Sequence, residues 1–345
     1  MGVAYDAQQP RPAPSAATTG STPLTMYVQP PTLDEIRQAA CGLVDIVRPT
    51  PLIPLHRYQG ASDILLKTEI HQAVHSFKIR GVWHAVASLD AQRREAGVST
   101  VSAGNTAQAL AWSARRFGVQ ARALMPDSAP SSKIEAVRAY GAEPVLVPVE
   151  ELFRYLREHL WAHEPYAFIH PWIDRDVLIG HGSIGLEIYQ EVPDVETVLI
   201  PVGGGGLLGG AASALKALRP GVRIVAVEPE GCPSLARSLD AGAPVSVPCN
   251  TICDGVAVPF ITDEMFPLLE QLVDRVALVS EEDVRAAVRR LAIGNKILTE
   301  PSGALATAAA LAIPEPERGR SVCVVSGGNM DASTFAEILT AKQTQ

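Results

Sequence analysis

From about residue 31 onward, short apolar runs alternate with stretches in which apolar side chains recur every three or four positions, and the two periods predict strands and helices in turn. The clearest series opens with a strand at Ser99–Ser102, a helix at Asn105–Phe117 and a strand at Ala121–Met125. A helix at Ser131–Tyr140, a strand at Pro144–Val149, a helix at Glu151–Ala162 and a strand at Ala167–His170 complete it. Asn105 and Ser131 or Ser132 stand where helix caps are expected, and Gly118 and Gly141 stand where helices should stop. A second series runs through a helix at Gly182–Glu191, a strand at Val198–Val202, a helix at Leu207–Leu218 and a strand at Arg223–Val227. It continues with helices at Ser280–Ile297 and Ser302–Leu311 and ends on a strand at Ser321–Val325. Alternation at this spacing implies an α/β protein with parallel sheets covered by helices, in two blocks of unequal size.

Residues 1–30, rich in Pro, Ala, Ser, Thr and Gln, lack both periods and are expected to form a disordered tail. Composition narrows the class. Of 345 residues, 47% are apolar and 19% charged, ordinary for a globular enzyme, and the net charge of −8 argues against a nucleic-acid partner. No apolar run is long enough for a membrane span, so a soluble, cytoplasmic protein is expected. Five cysteines (Cys41, Cys232, Cys249, Cys253 and Cys323) form no zinc pattern and read as free thiols of a reducing compartment.

The strongest local chemistry is the run from Pro201 to Gly210, Pro-Val-Gly-Gly-Gly-Gly-Leu-Leu-Gly-Gly, between a predicted strand and a predicted helix. Glycines let successive amides turn toward an anion, and the helix N-terminus adds positive potential, so the loop is a phosphate cradle. Its owner stays open at this point. Gly204, Gly206 and Gly209 also satisfy G-x-G-x-x-G, and Glu228 closes the next strand, as in a dinucleotide-binding oxidoreductase. A second candidate is Lys78 in Ser76-Phe77-Lys78-Ile79-Arg80-Gly81, since a lysine held among apolar neighbours can serve as an amine nucleophile.

The segment Glu69–Gly81 resembles the Schiff-base segment of the fold-type II pyridoxal-phosphate enzymes, in particular the threonine dehydratase and serine racemase branch. Five further segments agree in order: Arg48–Leu52, Ser102–Gln108, Phe168–Glu187, Gly203–Leu207 with Glu228, and Ser326–Asp331. The resemblance spans about residues 32 to 335 and demotes the dinucleotide reading to a remote alternative. It implies the tryptophan synthase β-like architecture: two parallel-sheet α/β domains with pyridoxal 5'-phosphate in the cleft between them. Residues 31–81 and 173–340 would form the large cofactor domain, and 82–172 the small substrate domain.

By that resemblance Lys78 is the catalytic lysine that carries the cofactor, and Gly203, Gly204, Gly205, Gly206 and Leu207 hold its phosphate. Phe77 stacks on the ring, Asn105 bonds the ring hydroxyl and Ser326 faces the ring nitrogen. Ser102, Ala103, Gly104, Asn105 and Thr106 grip the substrate carboxylate. The implied reaction is dehydration and deamination of a β-hydroxy amino acid such as L-threonine or L-serine by a homodimer. A β-replacement synthase and a racemase are the alternatives. Ala103, which cannot transfer a proton where the family's racemases place a serine, favours elimination.

The chain departs from the pattern in several places. Val74-His75 replaces Thr-Gly, making His75 a candidate substrate contact, and Thr106 stands where dehydratases carry histidine. Cys232 and Ser234 follow Glu228-Pro229 where a cation site needs an acid, so no metal is expected. The chain runs only a few residues past Asp331, so a C-terminal regulatory domain is not expected.

Overall fold

A computed structural model describes residues 5–6, 27–56, 63–102 and 104–341. The strands are β1 (Tyr5–Asp6), β2 (Leu52–Pro54), β3 (Ile64–Thr68), β4 (Val98–Val101), β5 (Ala121–Pro126) and β6 (Glu143–Val147), followed by β7 (Ala167–Phe168), β8 (Thr197–Pro201), β9 (Arg223–Pro229), β10 (Arg275–Val279) and β11 (Ser321–Val325). They form a seven-stranded sheet in the order β1-β10-β9-β8-β11-β3-β2 and a four-stranded sheet in the order β6-β5-β4-β7. All pairings are parallel except the edge pairs β1–β10 and β2–β3. Every residue of β8 and β11 is buried, which is why they read as unbroken apolar runs: helices cover both faces.

The helix Arg175–Glu191 packs against both Gly206–Leu218 and Lys78–Ser88. It starts seven residues before the expected Gly182, because Asp174 caps it by accepting from the amides of Asp176 and Val177. Its glycines at 180, 182 and 185 blur the apolar period that would have revealed the earlier start.

Other expectations need correction. The helix expected over 280–297 is α-helical only from Glu281 to Arg290, and a wider turn at Leu291–Asn295 ends at Lys296 in the left-handed region, φ 60°. Gly118 and Gly141 do end helices with left-handed φ. Asn105, Ser131 and Ser132, however, cap nothing, since Gly104 and Pro130 hold the cap positions. The side chains of Asn105 and Ser132 instead reach the other sheet's elements: Asn105 bonds Glu300, and Ser132 bonds Asp331.

Two of the cysteines read as free thiols are joined: Cys232 and Cys249 form a disulfide, while Cys41, Cys253 and Cys323 are free. The fold brings the start of the helix Ser234–Ala241 beside the segment at Asn250, whose amide bonds the Gly231 carbonyl, a proximity with no trace in the local sequence. In the tail expected to be disordered, Tyr5–Asp6 pairs antiparallel with β10, and the Val28 amide bonds the Glu264 carbonyl. Residues 1–4 and 7–26 lie outside the described residues. No helix among the described residues is long and apolar enough to cross a membrane.

Candidate active site

Lys78 is the first residue of the helix Lys78–Ser88. The segment before it is laced to the chain beyond β11. The Phe77 amide bonds the Ser326 carbonyl at 3.0 Å, Ser76 bridges Gly327, and the Gly328 amide bonds the His75 carbonyl at 2.9 Å. This stitching puts Lys78 and Ser326 in one cavity. Two residues on, the fully buried Arg80 anchors the helix. It donates to Glu69 at 2.7 and 2.9 Å, to Glu187 at 2.6 and 2.9 Å and to Ser183 at 3.0 Å. Buried Lys67 also donates to Glu187, so the acids inside the fold meet donors on several sides.

The Lys78 ammonium Nζ lies 5.0 Å from the Phe77 ring centre and 3.5 Å from the Pro171 carbonyl. Burial pulls its pKa down to about 8, against the opposing pull of the Glu300 carboxylate. A substantial fraction is therefore neutral amine near pH 8, as a nucleophile or base requires.

β8 runs into the glycine loop, and the helix Gly206–Leu218 starts at its end. The first amides of that helix have no carbonyl of a preceding turn to bond. Gly205 takes a left-handed φ of 93°, closed to most side chains. A Cβ on Gly204 would overlap the Trp172 ring, and one on Gly203 would come within 2.9 Å of Val256 Cα. Trp172 and Val256 thus exclude side chains at 204 and 203, which leaves a bare-backbone loop of the kind that can hold a phosphate-sized anion.

Glu228, the acid that completed the dinucleotide fingerprint, faces elsewhere. Its oxygens accept from the amides of Leu235 (2.7 Å) and Ala236 (2.9 Å) and from the Ser234 hydroxyl (3.2 Å). It closes the N-terminus of the helix Ser234–Ala241, and burial pushes its pKa up to about 7.

The opposite wall is the turn from β4 into the helix Asn105–Phe117. The Ser102 amide bonds the Leu124 carbonyl at 3.0 Å, and the Gly104 amide bonds the Ser102 hydroxyl at 3.1 Å. Ala103 lies outside the described residues. Asn105 donates from Nδ2 to Glu300 Oε1 at 2.8 Å, and its Oδ1 accepts from Asn329 at 2.7 Å. Two further contacts join the elements of the two sheets, Lys133 with Asp254 and Ser132 with Asp331.

One cavity of about 340 Å³ is lined by Phe77, Lys78, Ser102, Gly104, Asn105, Thr106, Gly203, Gly204, Gly205, Gly206, Leu207 and Ser326. His75 is not among them. It is exposed, at a left-handed φ of 55°, in the turn that precedes buried Ser76, and so lies outside the cavity lining where the expectation had put it. The residue the sequence reading missed is Glu300. It lines the cavity, is buried, and has its Oε2 unbonded. Burial first, and Asp254 next, push its pKa up to about 7. An available signal was the acid directly before Pro301-Ser302-Gly303, at the head of the helix Pro301–Ala312.

The pattern of the family described as pyridoxal-phosphate dependent enzyme matches residues 43–327. An L-threonine ammonia-lyase of Geobacter sulfurreducens is 40% identical over 309 residues, covering 88% of this chain and 77% of that protein. The structure of maize serine racemase superposes with a TM-score of 0.80 at 32% identity, over 89% of this chain and 96% of that one. The processed form of threonine deaminase isoform 2 from Solanum lycopersicum superposes with a TM-score of 0.81 at 31% identity, over 94% of this chain and 99% of that one.

Proposed function

The chain belongs to the pyridoxal-phosphate dependent enzyme family, and from that premise we propose that it dehydrates and deaminates a β-hydroxy amino acid such as L-threonine or L-serine to a 2-oxo acid and ammonia. One observation carries the reading: a lysine of lowered pKa, a bare-backbone anion cradle and a helix N-terminus that suits a carboxylate all face one cavity. The 40% identical relative, named for ammonia release from threonine, supports it.

The residues present fit pyridoxal phosphate. Gly203–Leu207 would hold its phosphate, Lys78 its carbonyl carbon, and Phe77 its ring face. Asn105, whose amide carries a second Nδ2 hydrogen beyond the one given to Glu300, would hold the ring hydroxyl, and Ser326 the ring nitrogen. When bound, the cofactor supplies an electron sink for the pair left behind at Cα.

The protein's own groups do the rest. Amides of Asn105 and Thr106 at the helix N-terminus, with the Ser102 hydroxyl, orient the substrate carboxylate, and Lys78 Nζ takes the Cα proton. Arg80 and its acids keep the helix that carries Lys78 from shifting. The β-hydroxyl leaves as water, and the released enamine is hydrolysed, so R–CH(OH)–CH(NH3+)–COO− becomes R–CH2–CO–COO− and NH4+. Position 103, an alanine, brings no acid–base atom, which disfavours racemisation by the roughly 10²–10⁴-fold that such a group contributes.

The test is to incubate the enzyme with L-threonine and L-serine, with and without an added thiol, and to quantify 2-oxo acid, D-amino acid and thioether. Dominant 2-oxo acid is expected. D-serine formed as fast as pyruvate would instead establish a racemase, and thioether as the main product a β-replacement synthase.

A further inference from the structure

The helix Val149–Arg157 adds Val149, Leu152, Phe153 and Leu156 to the cavity wall. Their spacing of i, i+3, i+4 and i+7 places all four on one face, two turns long. Such a stripe ordinarily faces the core, and Leu152 and Leu156 do pack with Val101, Tyr155 and Trp172. The other two are covered only in part: Val149 is 38% exposed, and Phe153, half-buried, meets Phe260 edge to face at 5.6 Å between ring centres while still lining the cavity. Uncovered carbon of this kind inside a reaction cavity is surface waiting for a ligand.

The position of the wall identifies which part of the ligand meets it. Val101 leads directly into Ser102 of the carboxylate turn, and Trp172 packs against Gly204 and Gly206 of the anion cradle. The wall therefore bridges the two polar anchors. Ala257 and Val258 also line the cavity, and Val258 packs against the same apolar cluster. The cation nearest the carboxylate turn, Lys133, is paired with Asp254, so it holds no charge spare for a distal acid. The four side chains span about 10 Å along the helix, and the single methyl of threonine covers only a small part of that.

We propose that Val149, Leu152, Phe153 and Leu156 form a specificity wall, and that the preferred substrate is a β-hydroxy amino acid whose β-carbon bears a branched alkyl or aryl group. This rests on the dehydratase reading above and sharpens its substrate class.

The experiment compares L-threonine with 3-hydroxyleucine and 3-phenylserine in the holoenzyme, following 2-oxo acid. Calorimetry with leucine, phenylalanine and alanine, which lack the leaving hydroxyl, reports binding alone. A single methylene in an apolar pocket discriminates by about tenfold or more. The larger substrates should therefore exceed threonine in kcat/KM by at least about tenfold, and phenylalanine should bind more tightly than alanine. Phe153→Ala should erase most of that preference. Val149→Asp, an acid in an exposed first turn where the helix tolerates it, should lower the ratio while keeping the fold. Threonine and serine turned over as fast as the larger substrates, with phenylalanine binding no better than alanine, would overturn the wall and leave the dehydratase reading intact. No 2-oxo acid from any of these substrates would overturn both.

Discussion

Asn105 and Glu300 meet across 2.8 Å, although 195 positions separate them in the chain. Asn105 opens a helix attached to the four-stranded sheet, and Glu300 heads a helix packed on the seven-stranded one, so the bond ties the two halves of the cavity together. Glu300 has a pKa near 7 and also raises that of Lys78. Glu300→Gln should therefore lower the Lys78 titration midpoint below its present value and remove the limb of the pH–rate profile near pH 7. If the profile of the variant superimposes on that of the parent, Glu300 is a structural cap and no more.

Lys78 must be a neutral amine to capture a carbonyl cofactor. With its pKa down to about 8, reconstitution of cofactor-free protein should quicken from pH 7 to 8 and level off by about pH 9, rather than climb toward the ordinary lysine range above 10. Stopped-flow absorbance during cofactor addition measures this. Lys78→Ala should bind cofactor without a link that borohydride can trap and lose turnover by at least about 10²–10⁴-fold.

Gly204→Ala brings a methyl into the Trp172 ring. The ring is buried and packed against Leu152 and Leu156, so the loop must give way instead. Cofactor affinity should fall by at least about tenfold, which corresponds to about 1.4 kcal/mol. Equilibrium dialysis checks it, and Gly221→Ala, where nothing lies within 4 Å of a new Cβ, is the control.

Arg80→Met would strand Glu69 and Glu187 without their main partner. Removing one side of a buried ionic cluster costs about 3–5 kcal/mol, a large fraction of a typical stability. Urea unfolding should show a free energy of unfolding lower by that amount, and the cofactor should dissociate faster because Lys78 sits one half-turn away.

Glu228 offers a stability test with an unusual sign. Its folded pKa, about 7, lies above the unfolded value of 4.5, so the native state holds the extra proton between those limits. Stability contributed by this group is present below pH 4.5 and is lost as pH rises through 7. Glu228→Gln should flatten that decline in denaturation curves measured across the window. An equally steep decline in the variant would mean that Glu228 is already ionised at pH 5.

The amino-acid sequence by itself determined the alternation of strands and helices, the anion cradle and the lysine segment. Each depends on a short stretch of chain: a hydrophobic period, a run of glycines whose φ and bulk are constrained locally, a lysine fixed relative to its neighbours. Tertiary structure alone decided that Glu300 joins Asn105, that Lys133 pairs with Asp254, that Cys232 meets Cys249, and that His75 turns out to solvent while Ser76 turns in. It also decided the pKa values, because desolvation depends on which distant elements close over a group. Local pattern constrains where the backbone can go. It carries little information about which side chains, tens or hundreds of positions apart, arrive at the same few ångströms once two sheets have packed.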